Sequence, residues 1–255
     1  MKRFYRIDYQ GTPRHAVEES GTWRLVDGDL FGSHTRGQEI APDGHRLLAP
    51  VLPSKMVCIG LNYKDHAAEQ NKPLPASPLM FIKPSTAAVG PGEPIVVPGD
   101  IGRVDHEAEV GVVIGRRARH VKESEARNYV LGLTCFNDVT ARELQQKGAQ
   151  YTHAKGFDTF ASIGPCVTGD LDYHTMAGIG IEGWVNGERR HHSSTNQLIF
   201  PVPYLVEHVT RFMTLHPGDL ITTGTPSGVG ALTPGDRIMV KVAGVGTLSN
   251  PCVAG

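Results

Sequence analysis

Cysteine is scarce in this chain: four of 255 residues, Cys58, Cys135, Cys166 and Cys252, scattered widely. That spacing excludes a paired-cysteine zinc site or a small disulfide framework and predicts reduced thiols. Neither sign of charge is in excess, since 25 Lys and Arg face 26 Asp and Glu for a formal net charge of -1. The chain therefore has no electrostatic footprint for nucleic acid or an anionic membrane. No apolar run approaches the ~20 residues that span a bilayer, and the opening MKRFYRIDYQ lacks an apolar signal segment. A cytoplasmic protein with a small-molecule partner is expected. The histidines have no HxxxH spacing, and the GTPSGVG turn lacks the lysine of a nucleotide-binding loop.

What is abundant is punctuation, with 30 glycines and 18 prolines. Pro91-Gly92-Glu93, Pro98-Gly99-Asp100, Pro217-Gly218-Asp219 and Pro234-Gly235-Asp236 each preset a tight turn, at spacings too irregular for a repeat. The apolar runs between them are short and rich in Val and Ile, so an α+β, β-dominated fold with short helices is expected. Residues 1–52 read as a small N-terminal domain with a hairpin turn at Asp27-Gly28, and 53–255 as the larger one. His15, His34 and His45 in the first part have no ligand-like spacing.

VDHEAEVGVVI, Val104 to Ile114, reads as a strand that puts Glu107 and Glu109 on one face and Ala108, Val110, Val112 and Ile114 on the core face. Same-face neighbours lie roughly 7 Å apart, close enough to converge on one cation. A solvent-facing acidic strand explains the pattern equally well. His106 should point to the opposite face as a packed residue. LTCFND reads as a strand ending at Asp138, which suits either a helix cap or a metal ligand. TARELQQKG follows as a short helix closed by Gly148, with Arg142 and Gln145 on one face. KESEARNYVLG reads as a helix stopping at Gly132.

Asp65 is placed to cap a short helix on which His66 and Glu69 share a face, before PLP forbids further helix. Such a pair can orient an imidazole and take a proton from water, or form a chance surface ion pair. So short a helix is marginal alone and could order as a lid over a ligand. Lys155 beside Gly156 could anchor an anionic oxygen or simply be solvated. Adjacent His191 and His192, in a hairpin turning at Asn186-Gly187, face opposite ways. A helix begun near Pro203 should pack Leu205, Val209, Phe212 and Met213 on one side. The turn Gly224-Thr225-Pro226-Ser227-Gly228 exposes N–H groups that suit a carboxylate.

GLNYKDHAAE, FIKP, VDHEAEVGVVIG, FNDVTARELQ, AKGFDTF, NGE and RFMTLHPGDLITTGTPSGVG, in this order over roughly residues 55–252, resemble the fumarylacetoacetate hydrolase family. The resemblance implies a mixed β-roll, Mg²⁺ or Mn²⁺, a homodimer, and a 2-oxo acid or diketo acid substrate. By position it makes Glu107, Glu109 and Asp138 the metal ligands and His66 with Glu69 the water-activating pair. It places Lys155 beside the metal, Arg142 and Gln145 along the substrate, and Gly224 with Thr225 at the substrate carboxylate. Where acylpyruvate-cleaving relatives often have Gly-Arg-Asn-Tyr, this chain has Gly60-Leu61-Asn62-Tyr63, so an anion contact is missing.

Three carboxylates are hard oxygen ligands that favour Mg²⁺ or Mn²⁺ over zinc. The expected reaction is hydrolysis of the C–C bond in an acylpyruvate-type 2,4-diketo acid through a metal-bound pyruvate enolate. Decarboxylation of oxaloacetate, or isomerisation and tautomerisation of 2-hydroxymuconate-type diacids, would use the same site. A non-catalytic binder of 2-oxo acids on the same fold predicts binding without turnover, and a zinc hydrolase lacks its ligand spacing.

Overall fold

A computed structural model of the chain describes residues 1–147, 150–172 and 178–255. Short Val- and Ile-rich segments broken by turns do become strands. The large sheet runs from His34–Ile40 through Thr22–Gly28, Thr12–Glu19, Lys2–Tyr9, Ala161–Thr168, Val130–Asp138, Ala108–Ile114, Leu220–Thr222 and Lys55–Gly60 to Leu79–Pro84. Its pairings are mostly antiparallel, but Leu220–Thr222 runs parallel to Lys55–Gly60. A second sheet orders Glu188–Ser194, Gly180–Val185, Arg237–Val242, Gly246–Ala254 and Ile95–Val97. The fold is strand-dominated with few short helices, as expected. Among the described residues no helix is long and apolar enough to cross a membrane.

The central strand Ala108–Ile114 is buried throughout. Its even-numbered residues Val110, Val112 and Ile114 join Ile181, Val240 and helix residues Leu205 and Val209 in one core. Val113, on the other face, joins Met56, Cys58 and Phe136 in a second. The period-2 alternation holds, yet neither face meets solvent: the face of Glu109 is half apolar core and half polar cavity.

Several local expectations are corrected. Asp27 and Gly28 lie at the end of Thr22–Gly28, and the chain turns after them. KESEARN forms only a 3-10 helix, Glu123–Asn128, and Gly132 lies inside the strand Val130–Asp138, where sheet pairing outweighs a helix stop. Asp138 caps nothing, because Thr140–Ala141 intervenes before the helix Arg142–Lys147, whose expected closure at Gly148 lies outside the described residues. Asp65 sits inside the helix Lys64–Glu69 rather than at its cap. Phe212 is 60% exposed at the end of Val202–Phe212, so it is not part of that helix's packed side. The first fifty residues extend the main sheet, with Arg3 opposite Thr168 and Phe4 opposite Val167.

Candidate metal centre and active-site cavity

At Glu107 the chain changes sheets. Val104–His106 pairs with Gly230–Leu232, whereas Ala108 onward pairs with Val130–Asp138. Glu107, whose carbonyl accepts the Asp138 N–H at 2.9 Å, and strand-bound Glu109 keep a common side, and the adjoining strand delivers Asp138 at its end. All three are buried, and one carboxylate oxygen of each lies within 4.8 Å of the others. His106 turns away as expected, its Nδ1 3.0 Å from His191 Nε2, and burial next to His191 pushes it down to about 3. His191 is buried and His192 exposed, on opposite faces of their strand.

The acids are threaded with cations in an alternating ladder. Exposed Arg103 Nε donates to Asp105 Oδ1 at 2.6 Å, and Arg142 Nε donates to Asp105 Oδ2 at 2.8 Å. Arg142 Nη2 then donates to Glu107 Oε1 at 2.7 Å. Lys155 Nζ joins Glu107 Oε2 at 2.8 Å to Asp138 Oδ2 at 2.6 Å, and Lys83 Nζ closes the ladder on Asp138 Oδ1 at 2.5 Å. Burial alone would raise Glu107, but Lys155 and Arg142 outweigh it and hold the carboxyl well below its ordinary range. Burial lowers the Lys83 ammonium, with Asp138 opposing.

Glu109 has no place on the ladder. It accepts the Gly224 N–H at 3.1 Å, and burial, then Asp138 and Glu107, push its carboxyl well above the usual range. A Cβ at Gly224, whose φ is +86°, would sit 2.9 Å from the Ile59 carbonyl, so glycine is what lets this N–H approach. Thr225 Oγ1 donates to the Ala108 carbonyl at 3.0 Å.

Helix Lys64–Glu69 is held by tertiary contacts rather than by its own propensity. Asn62 donates to the Thr223 carbonyl and accepts the Phe200 N–H, Asp65 accepts from Ser193 Oγ, and Glu69 Oε1 accepts the Gly228 N–H. His66 Nδ1 lies 2.8 Å from Glu69 Oε2, and His66 Nε2 lies 2.7 Å from Gln70 Nε2. The pair and the three acids border one cavity of about 660 Å³, together with Arg142, Gln145, Lys155 and Thr225. Every site residue expected from sequence except Gly224 borders it, and Gly224 contacts its Glu109.

Lys83, Asp105 and Arg103 escaped the sequence reading. A signal existed for Asp105, since 105, 107 and 109 alternate as acids. Lys83 within apolar FIKP was a weaker one.

Three converging hard oxygens, one of them on an acid with no cation of its own, fit a divalent ion. Fold and site together define a class: strand-dominated proteins that gather carboxylates able to hold a divalent cation against a polar cavity. Residues 55–253 match the fumarylacetoacetate (FAA) hydrolase C-terminal family, and residues 2–50 match the Rv2993c-like, N-terminal family. The chain belongs to the fumarylacetoacetate hydrolase family.

It is 42% identical over 220 residues to the mitochondrial oxaloacetate tautomerase fahd2 of Xenopus laevis, covering 81% of this chain and 68% of that protein. The crystal structure of 2-hydroxyhepta-2,4-diene-1,7-dioate isomerase from Mycobacterium marinum superposes with a TM-score of 0.91 at 38% identity, over 100% of this chain and 99% of that one. Maleylpyruvate hydrolase from Sphingobium sp. SYK-6, in complex with manganese(II) and pyruvate, gives 0.81 at 27% identity over 99% of both chains. Members of the family are enzymes, with hydrolases, isomerases and tautomerases among them.

Proposed function

We propose that this protein is a Mg²⁺- or Mn²⁺-dependent tautomerase or isomerase of 2-oxo acids, which moves a proton at the carbon next to the 2-oxo group. The observation that carries this reading is the His66–Glu69 pair, 2.8 Å apart and facing the same cavity as the acid triad. Glu107, Glu109 and Asp138 would hold the ion, which supplies Lewis acidity to the substrate's carboxylate and 2-oxo oxygens.

Side chains do the rest. Glu69 accepts the Nδ1–H of His66 and so fixes its ring, and Nε2, whose lone pair the Gln70 amide 2.7 Å away holds until substrate displaces it, takes a proton from C3. Lys155, already between Glu107 and Asp138, stabilises the charge that moves onto the 2-oxo oxygen. His66 then returns the proton to oxygen or to another carbon, which completes a tautomerisation or an isomerisation. Arg142, Gln145 and Thr225 on the cavity wall orient the substrate, and Gly224 positions Glu109 through its N–H.

Hydrolysis of a 2,4-diketo acid is the second reading, favoured by the structural likeness to maleylpyruvate hydrolase. There His66 takes its proton from water, the water oxygen bonds to C4, and the C3–C4 pair of electrons becomes the enolate that His66 reprotonates. A homodimer belongs to the same reading: Ile82 is exposed on the edge strand Leu79–Pro84, on the face opposite the cavity-lining Leu79 and Phe81, as apolar surface that a second copy would cover. So does the division between residues 1–52 and 53–255.

NMR in D₂O with Mg²⁺ and a panel of oxaloacetate, 2-hydroxymuconate-type diacids and acylpyruvates tests the choice. Deuterium at C3 and isomerised product are expected. Cleavage products alone would select the hydrolase, and an inert panel would reject both readings.

A further inference from the structure

The cations around the cavity are not equally free. Lys155 spends its three N–H donors on Glu107, Asp138 and Thr140. Arg142 has three of its five N–H donors engaged, Nε on Asp105, Nη1 on Gln145 and Nη2 on Glu107, which leaves one N–H on each Nη and holds the group side-on to its acids. Arg103 differs. It borders the cavity, its side chain is 56% exposed, and Asp105 is its one acid partner among the described residues, engaged through Nε at 2.6 Å.

Anchoring a guanidinium at Nε leaves both Nη groups as a fork, the geometry that receives a carboxylate through two parallel hydrogen bonds. The anchor is itself rigid, because Asp105 is buried and its second oxygen is held by Arg142 Nε at 2.8 Å. The Arg103 carbonyl also accepts the Arg142 backbone N–H at 2.8 Å, which fixes the main chain from which the fork projects. A fork positioned before the ligand arrives loses little entropy on binding it. Lys72 borders the cavity too, but it is exposed, and no side-chain hydrogen bond or ion pair orients it among the described residues. Leu61, also on the cavity wall, offers no anion contact.

We infer that Arg103 is a specificity-determining residue that receives a second carboxylate, so that the substrate is a 2-oxo acid with a distal acid group rather than a monocarboxylic acylpyruvate. This rests on the 2-oxo acid reading of the same site. Its chemistry is that of a dicarboxylate spanning the cavity, with the 2-oxo acid end at the acid triad and the distal end at the exposed guanidinium.

Isothermal titration of the Mg²⁺-loaded protein with two isosteric pairs tests it: 2-oxoglutarate against 2-oxopentanoate, and 2-oxoadipate against 2-oxohexanoate. Each pair differs only by carboxylate for methyl. The wild type is expected to bind the better diacid about 10- to 100-fold more tightly than its partner, the range of one charge-assisted hydrogen-bonded contact. Arg103→Gln should erase that preference and leave monoacid affinity within about threefold, while Arg103→Lys keeps part of it.

Equal binding of diacid and monoacid by the wild type overturns the role of Arg103 and leaves the 2-oxo acid reading intact. Equal weakening of both classes in Arg103→Gln also overturns it, since that is what a disturbed Asp105–Arg142–Glu107 ladder would produce. Binding of neither class by the wild type overturns both readings.

Discussion

Glu109 carries the least compensated charge in the site. Its neighbours Glu107 and Asp138 each hold a cation directly, whereas Glu109 accepts one backbone N–H and lies between two acids, with Thr222 and the charge of Lys155 as the weaker offsets. A buried carboxylate without a partner costs several kcal/mol, or is kept neutral. Glu109→Gln is therefore expected to act in opposite directions on two observables. The metal-free protein should melt at the same temperature as the wild type or higher, and Mn²⁺ affinity should fall by at least about 10²-fold, in line with loss of one anionic ligand. Thermal melts with and without Mn²⁺, with calorimetric titration, check it; a lower metal-free melting temperature with unchanged affinity would show that Glu109 is structural. At this scale the sequence was informative where alternation sufficed. It placed Glu107 and Glu109 together, and it carried Asp105 in the same alternating row. It could not show that Arg142 would be held by Asp105, Gln145 and Glu107, because that depends on which strands meet.

Elements of the fold are joined by polar clasps that a turn pattern only hints at. Pro217-Gly218-Asp219 was legible as a turn, but not as the clasp that ties Leu220–Thr222 to Lys55–Gly60. The Asp219 side chain, 0% exposed, accepts from Ser54 N and Oγ, Lys55 N and Nζ, and His216 N. Asp219→Ala is expected to cost about 3 kcal/mol in urea unfolding, as breaking a buried pair does. Burial alone would raise Asp219, but the His216 N–H, then Lys55 and Ser54, hold it below its ordinary value. A depressed folded pKa gives stability that is present above the unfolded value, near 3.9, and is lost as pH falls through the folded one. The stability gap between wild type and Asp219→Asn should therefore be full at pH 6 and shrink steadily below about pH 4. A gap independent of pH would contradict the ionised clasp. The helix Lys64–Glu69 follows the same logic: its length and its His–Glu face were readable, whereas its anchors at Thr223, Phe200, Ser193 and Gly228 are all distant in sequence.

For the whole molecule, the site exists because the large sheet curls. Lys83 and Asp138 are 2.5 Å apart although three strands, Ala108–Ile114, Leu220–Thr222 and Lys55–Gly60, separate theirs along the sheet. Such closure is set by twist accumulated over many strands, which no local pattern encodes, so the roll was expected only through the family's likeness. The curl gathers the acid triad and its lysines, and the helix beside the cavity adds His66 and Glu69. The central claim is that His66, steered by Glu69, exchanges a proton with the carbon beside a 2-oxo group. Its direct test is the rate of C3 hydrogen–deuterium exchange in Mg²⁺-bound 2-oxo diacids, followed by NMR for the wild type and His66→Ala. The variant should keep its Mg²⁺ affinity and lose about 10²- to 10⁴-fold in exchange rate, the usual worth of a general base; exchange at the wild-type rate would contradict the account.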